Sequence, residues 1–317
     1  MNVQQIEYVI AVSKSRTFGE AADKCFVTQS TLSTMVARLE SELGIIIFDR
    51  KTKPVTVTIE GEEILKQLKI ISREIANLDD VVEQIKGEAD EEISGVLRLG
   101  AIPTIAPYVL PQFLKDFLKS HSKLQLEVSE MPTQKIIDQL LTRELDVGLV
   151  SIPLKHDDLV ELQLYTEPFH LYDRNSKKAN VAAPMDDIDF TRLWLLEEGH
   201  CMRNQVEKIC EIKNRNEQTG NLIYKSGTIN TLLKLVNQNN GLTLLPHLAT
   251  LELSGPDQKY VQQFSDIIPV RRIGLVVHKH FVKHKILKKI QEDIQKKIVP
   301  LIGTMLKDEK VIDPLYD

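Results

Sequence analysis

Seven apolar side chains, Ile64, Leu68, Ile71, Ile75, Leu78, Val82 and Ile85, follow one another at spacings of four, three, four, three, four and three. That alternation keeps them on one side of an α-helix and marks the seam of a helix that pairs with another. As a helix, residues 60–86 reach roughly 40 Å at ~1.5 Å per residue. So long a seam must be covered. The simplest cover is a second copy of the chain; the alternative is packing on the chain's own domain. Either way the seam divides the sequence. Residues 1–58 precede it as one module, 59–86 form the helix, and the polar, acidic stretch 87–94 (GEADEEIS) is a hinge. Residues 95–300 then have the length for a larger domain, with 301–317 as a C-terminal tail.

The first module has a pattern of three short helices. Ile6, Val9, Ile10 and Val12 suit one helix, and Thr17 caps a second carrying Phe18, Ala21 and Ala22. After the turn at Val27-Thr28, a third helix places Leu32, Val36, Leu39 and Leu43 on its buried side. Gln29, Ser30, Thr31, Ser33, Thr34 and Arg38 are left on the other faces, with the polar tips near the helix N-terminus. A recognition helix enters the major groove of DNA in this way, N-terminal end first. Gly44 stops the helix. Ile45–Phe48 and Val55–Thr58 can pair as a hairpin whose tip carries Arg50, Lys51 and Lys53, cations suited to phosphate. The net charge of −5 taken alone disfavours nucleic acid. Residues 1–58, however, hold seven Lys/Arg against six Asp/Glu. Three packed helices with a solvated basic turn is the alternative to DNA binding.

Beyond the hinge, strands and helices alternate. Val96–Ile102, Leu124–Val128 and Asp146–Val150 read as strands, with helices over Ile105–Lys119 and Thr133–Thr142 between them. The unit repeats after residue 160 with strands at Trp194–Leu196, Leu222–Tyr224 and Leu242–Leu245, and helices near 201–213 and at Ile229–Gln238. This order predicts parallel sheets with helical crossovers, in two lobes, and a ligand cleft where strand ends meet helix N-termini.

The segments together resemble the LysR-type regulators over almost the whole chain. Phe18-x-x-Ala21-Ala22, Thr28-Gln29-Ser30-x-Leu32-Ser33, Leu39-Glu40-x-Glu42-Leu43-Gly44, Phe48-x-Arg50 and Thr58-x-x-Gly61 fit that family's DNA-binding end in order. The resemblance implies a winged helix-turn-helix (α with a small β wing) joined to an α/β periplasmic-binding-protein-like effector domain of two lobes. It also implies double-stranded promoter DNA as partner, a homodimer through the 59–86 helix and a homotetramer built from two dimers, with RNA polymerase as a further partner. Three later segments are similar to the family's peroxide-sensing members: Ile102-Pro103-Thr104-x-x-Pro107-Tyr108, Glu197-x-Gly199-His200-Cys201-x-Arg203-x-Gln205, and Thr228-x-x-Thr231-Leu232 with Gly241–Pro246 after it. By that similarity Cys201 is the peroxidatic cysteine and Cys210 the resolving one. Thr104, Thr133, His200, Arg203 and Thr228 would line the pocket for hydrogen peroxide. Asn204 stands where such sensors commonly carry an acidic residue, and Ile223 where they often carry a histidine.

The chemistry fits that assignment. A thiolate attacks one peroxide oxygen while the other leaves as hydroxide, so the site has to favour the anion. His200 and Arg203 flank Cys201, which opens a helix and so meets free N–H groups. Thr104 follows Pro103 at another helix start and can orient the peroxide. Two inert buried thiols are the plain alternative, and an ordinary metabolite-binding regulator of the same family is the second. A thiol peroxidase or a solute-binding protein needs neither the helix-turn-helix nor the seam. Cys25 reads as core. His278, His280 and His284 (HKHFVKH) read as a solvated junction, so no metal and no cofactor are expected, and no enzyme motif is found. The N-terminal residues lack a signal-peptide pattern and no apolar run is long enough to span a bilayer, so a cytoplasmic chain without a membrane partner is expected.

Overall fold

A computed structural model describes residues 1–86, 93–176, 182–197, 199–210, 227–265, 267–303 and 309–314. The chain divides into two compact units, Met1–Glu91 and Glu92–Asp317, each with its own apolar core.

In the first unit, α1 (Val3–Ser15) starts at a capping box between Asn2 and Gln5. Helix α2 (Phe18–Lys24) is capped by the Thr17 hydroxyl and α3 (Gln29–Leu43) by that of Thr28. Leu32, Val36 and Leu39 of α3 are buried against Ile6, Val9, Val12, Ala21 and Ala22. Leu43, expected on the same buried stripe, is exposed: α3 ends there, and Gly44 turns the chain away at φ 69°. The wing is shorter than expected, with β1 (Phe48–Asp49) paired antiparallel to β2 (Thr56–Val57). Flanking bonds go elsewhere. The Val55 N–H donates to Arg16 O just after α1, and the Thr58 hydroxyl donates to Ile46 O while accepting from the Gly61 N–H in the first turn of the next helix. That helix, α4 (Ile59–Lys86), buries Leu65 and Leu68 in the winged unit, while Ile71, Ile75, Leu78 and Val82 are exposed.

The second unit begins with β3 (Gly95–Ala101), α5 (Ala106–Ser120), β4 (Leu124–Glu130), α6 (Thr133–Leu141) and β5 (Val147–Ile152). The three strands are parallel, with β3 between β4 and β5, as the alternation predicts. Then comes β6 (Leu159–Asp173), a fifteen-residue strand that the sequence reading did not anticipate. After it lie α7 (Cys201–Ile209), α8 (Ile229–Gln238), β7 (Leu242–Pro246), α9 (His247–Leu251), α10 (Gly255–Gln258) and β8 (Val261–Gln262). The chain closes with β9 (Ile268–His278), α11 (His284–Ile302) and β10 (Glu309–Val311).

The main sheet runs β4-β3-β5-β9-β6-β7, with β10 on β9 and β8 on β6. It is mixed rather than parallel, because β9 lies antiparallel between β5 and β6. Residues 159–168 of β6 pair with β9 and residues 169–173 pair with β7, so one strand serves both lobes. Trp194–Leu196, expected as a strand, is not one: Leu193 just before it forms an isolated bridge to Leu242, and the Trp194 N–H donates to Leu242 O. The helix near 201–213 ends at Ile209. Strand Leu222–Tyr224, Ile223 and most of the 87–94 hinge lie outside the described residues. The 301–317 segment, read as a tail, adds β10, parallel to the start of β9. Among the described residues no helix is long and apolar enough to cross a membrane.

Candidate functional site

Two sites emerge, one in each unit. In the first, Gln29, Ser30, Thr31, Thr34 and Arg38 are exposed on α3, with Ser33 half-buried beside them. The Thr28 hydroxyl accepts the Thr31 N–H at 3.2 Å, which fixes the start of α3 and leaves other first-turn N–H groups facing outward. Arg50 does not project from the wing as a free cation. Its guanidinium donates to Glu40 Oε2 at 2.8 Å and to Ser33 Oγ at 3.1 Å, and lies 4.9 Å from the centre of the Phe18 ring. Glu40 Oε1 accepts the N–H groups of Ile47 and Phe48. Glu40 thus ties the wing to α3, a role the sequence reading did not give it. Lys51 and Lys53 are the exposed cations of the tip.

In the second unit, three helix starts converge. Thr104 lies in the turn before α5, Thr133 is the first residue of α6, and Cys201 is the first residue of α7. All three side chains are buried, as is His200 before α7. Arg271 of β9 ties the group together. It donates to the Thr104 hydroxyl and to Thr104 O, both at 3.1 Å, and its Nε–H donates to Glu167 Oε1 of β6 at 2.8 Å. Glu167 Oε2 accepts the Leu248 N–H at 3.2 Å. Burial pushes the Cys201 thiol up; the Thr133 hydroxyl, the Arg271 charge and the N–H groups of Met202 and Cys201 pull the other way without overcoming it. The sulfur is therefore a protonated thiol at neutral pH in this conformation.

Arg271 supplies the positive charge that the sequence reading gave to Arg203. The Arg203 guanidinium turns along its own helix to Glu207 Oε1 at 2.9 Å and to Leu196 O at 3.2 Å. Thr228 is exposed and caps α8, accepting the Thr231 N–H. His200 Nε2 lies 3.6 Å from Glu197 Oε1. Gln205, one turn after Cys201, is fully buried and donates to Ser151 Oγ at 3.2 Å and to Ile312 O at 2.6 Å. Gln205 Oε1 and Thr133 Oγ1 are left without a full hydrogen bond, and such buried polar atoms accommodate a small polar guest. Arg271 and Glu167 were missed, although each is a charge inside an apolar strand, and that is a readable signal of a buried pair.

Cys201 and Cys210 are both free thiols at opposite ends of α7. Burial, with Glu207 adding to it, pushes Cys210 up to about 12. Nine helical steps separate the two Cα atoms by roughly 13 Å. A disulfide needs about 4.4–6.8 Å. The bond cannot form while α7 is intact. Cys25 is half-buried against the core of the winged unit.

A helix-turn-helix with a wing, followed by a two-lobed α/β unit, defines a bacterial regulator of the LysR family, to which this chain belongs. Residues 3–62 match the bacterial regulatory helix-turn-helix protein of the lysR family, and residues 90–289 match the LysR substrate binding domain. Its relatives include a hydrogen peroxide-inducible genes activator of Dickeya chrysanthemi, 33% identical over 78% of this chain and 80% of the relative. The HTH-type transcriptional regulator EstR of Acinetobacter baylyi is also 33% identical, over 88% and 91%. Among solved structures, a full-length OxyR variant from Pseudomonas aeruginosa has a TM-score of 0.71 at 26% identity, covering 93% of this chain and 98% of that one. Reduced OxyR from Porphyromonas gingivalis has a TM-score of 0.60 at 27% identity, covering 68% and 100%.

Proposed function

We propose that this chain is a cytoplasmic DNA-binding regulator that senses hydrogen peroxide by a Cys201–Cys210 switch and so controls oxidative-defence genes. The observation that carries the reading is the Cys201 sulfur at the start of α7, faced by Thr133 and by the Arg271 charge that also holds Thr104. Peroxide enters against Thr104 and Thr133. The Cys201 thiol gives up its proton, the sulfur attacks one oxygen, the O–O bond breaks, and the second oxygen leaves as hydroxide, which takes a proton to become water. Arg271 favours the thiolate and the departing anion alike. Cys201 is then a sulfenic acid. Attack by the Cys210 sulfur releases a second water and closes the disulfide, for which α7 has to unwind. Gln29, Ser30, Thr31, Ser33, Thr34 and Arg38 read base edges and phosphates, Lys51 and Lys53 meet phosphate, and Arg50 holds the wing in place for them. Copies pair through the exposed stripe of α4 and assemble as a homotetramer on promoter DNA, where RNA polymerase is met.

The match to a LysR substrate binding domain supports a second reading, a small metabolite bound in the inter-lobe cleft with both cysteines incidental. Mass spectrometry after peroxide treatment separates the two. The wild type should give a Cys201–Cys210 peptide, Cys210→Ser should stop at sulfenic or sulfinic acid on Cys201, and Cys201→Ser should keep its reduced-form DNA footprint. A full peroxide response in Cys201→Ser sinks the sensor reading and leaves the metabolite regulator.

A further inference from the structure

Two consecutive side chains of α7 donate hydrogen bonds to one short piece of the C-terminal segment. Gln205 Nε2 donates to Ile312 O at 2.6 Å, and Asn204 Nδ2 donates to Pro314 O at 3.3 Å. The segment is held from its other side as well. Residues 309–311 pair in parallel with residues 268–270 of β9, and the Ile312 N–H donates to Val270 O at 2.8 Å. Ile312 and Pro314 are buried, and Asp313 pairs with Lys155 at 3.4 Å. The segment is therefore strapped between a sheet strand and the sensor helix.

The donors matter chemically. Both acceptors are backbone carbonyls, so both helix groups must carry N–H. An aspartate or glutamate at position 204 has no proton to give at neutral pH and would set a carboxylate against the Pro314 carbonyl. Asparagine there allows the strap to be held.

The geometry makes the strap dependent on the state of α7. Residues 204 and 205 diverge by about 100° around a helix, so both reach one strap only while the helix is formed and correctly rotated. Closing a Cys201–Cys210 bond draws the ends of α7 from roughly 13 Å to within about 7 Å, which displaces both amides. We propose that the C-terminal segment 309–314 is a latch on the sensor helix, with Asn204 as its positioning residue, and that it sets the redox potential of the cysteine pair. This rests on the disulfide reading above. The latch bonds exist in the reduced state only, so they favour the reduced state and make the disulfide easier to reduce. Linkage then requires the converse: forming the disulfide weakens the hold of α7 on the segment by the same factor.

The test uses the full chain with Asn204→Asp and Asn204→Ala, equilibrated in dithiothreitol redox buffers. Losing one net hydrogen bond of the reduced state should shift the equilibrium about fivefold toward the disulfide. For a two-electron couple that is a potential about 20 mV more negative. The alanine variant must move in the same direction as the aspartate one, which separates loss of the donor from added charge. In the wild type, peroxide should raise amide-hydrogen exchange across 309–314. A third measurement, alkylation of reduced Cys201 by iodoacetamide, does not depend on the disulfide. Buried Cys201 reacts through opening of α7, so both variants should react about fivefold faster while Cys25 in the same molecules keeps its rate. A wild type that forms no Cys201–Cys210 bond overturns the sensor reading, and the alkylation rates then decide the latch by themselves. A disulfide that forms with its potential unchanged within twofold, or a strap whose exchange ignores oxidation, overturns the latch and leaves the sensor standing.

Discussion

Glu167 and Arg271 are 0% and 1% exposed, and no other charged side chains among the described residues are so completely withdrawn from water. The pair is tolerable because the Leu248 N–H and both oxygens of Thr104 complete its hydrogen bonding. Such a pair adds little net stability, but halving it leaves a buried charge without a partner. Glu167→Gln should therefore cost about 3–5 kcal/mol in urea unfolding. Replacing both residues by methionine should cost less than the sum of the single changes, since neither charge is then stranded. A loss below about 1 kcal/mol for Glu167→Gln would mean that water reaches the site. His170 gives a second residue-scale expectation. Burial, with His247 Nδ1 3.0 Å from its Nε2, pushes His170 down to about 4. An unfolded histidine titrates near 6.5, so between about pH 6.5 and about pH 4 the unfolded chain holds a proton that the folded chain refuses. Stability is full above that window and falls as pH drops through it, by about 2–4 kcal/mol in all. His170→Leu should flatten this part of the stability profile. A variant that loses stability as steeply as the wild type assigns the slope to other groups.

At the scale of elements, α4 shows what a sequence pattern can and cannot tell. Its seven apolar positions were legible as one seam, yet the structure divides those whose side chains it describes. Leu68 is 3% exposed inside the winged unit, whereas Leu78 is 61% exposed. Leu68→Glu should therefore unfold the winged unit, because the carboxylate has no partner there. Leu78→Glu should leave that unit folded and abolish the dimer, as read by sedimentation and circular dichroism together; an unchanged oligomer would rule out the exposed stripe as the interface. Helices with a strong 3.6-residue period were readable, and α8 lies at Ile229–Gln238 as expected. Strand β6 and the extent of β9 were not, for a physical reason, although the strand-to-helix junction at His278–His284 was. A strand buried on both faces shows no alternation. Glu167, Pro168 and His170 interrupt what apolar run β6 has, and its register shifts between Gln163 and Tyr165. The candidate site divides the same way. The cysteines and threonines sit in local motifs at helix starts, but Arg271 meets its partners 104 and 167 residues away, contacts that only the completed sheet creates.

At the scale of the whole molecule, the thiol chemistry lies within Glu92–Asp317 and the DNA-reading face within Met1–Glu91. Each unit has its own core, so the redox equilibrium of the cysteine pair needs nothing from the winged unit unless DNA is bound. A fragment of residues 92–317 should accordingly form the disulfide at the same potential as the full chain free in solution. Adding operator DNA should then separate them. If oxidation changes operator affinity by some factor, thermodynamic linkage requires the operator to change the reduced-to-oxidised ratio by that same factor. A tenfold preference for the oxidised form should make the potential about 30 mV more negative on the operator, and a tenfold preference for the reduced form should raise it equally. The fragment should show no change with DNA, and the full chain with random duplex should show less than with operator. This comparison also distinguishes a reversible switch from damage. Suppose peroxide alters the operator affinity while the operator leaves the Cys201–Cys210 potential untouched. The altered affinity then cannot come from that disulfide, and over-oxidation of Cys201 becomes the explanation to pursue.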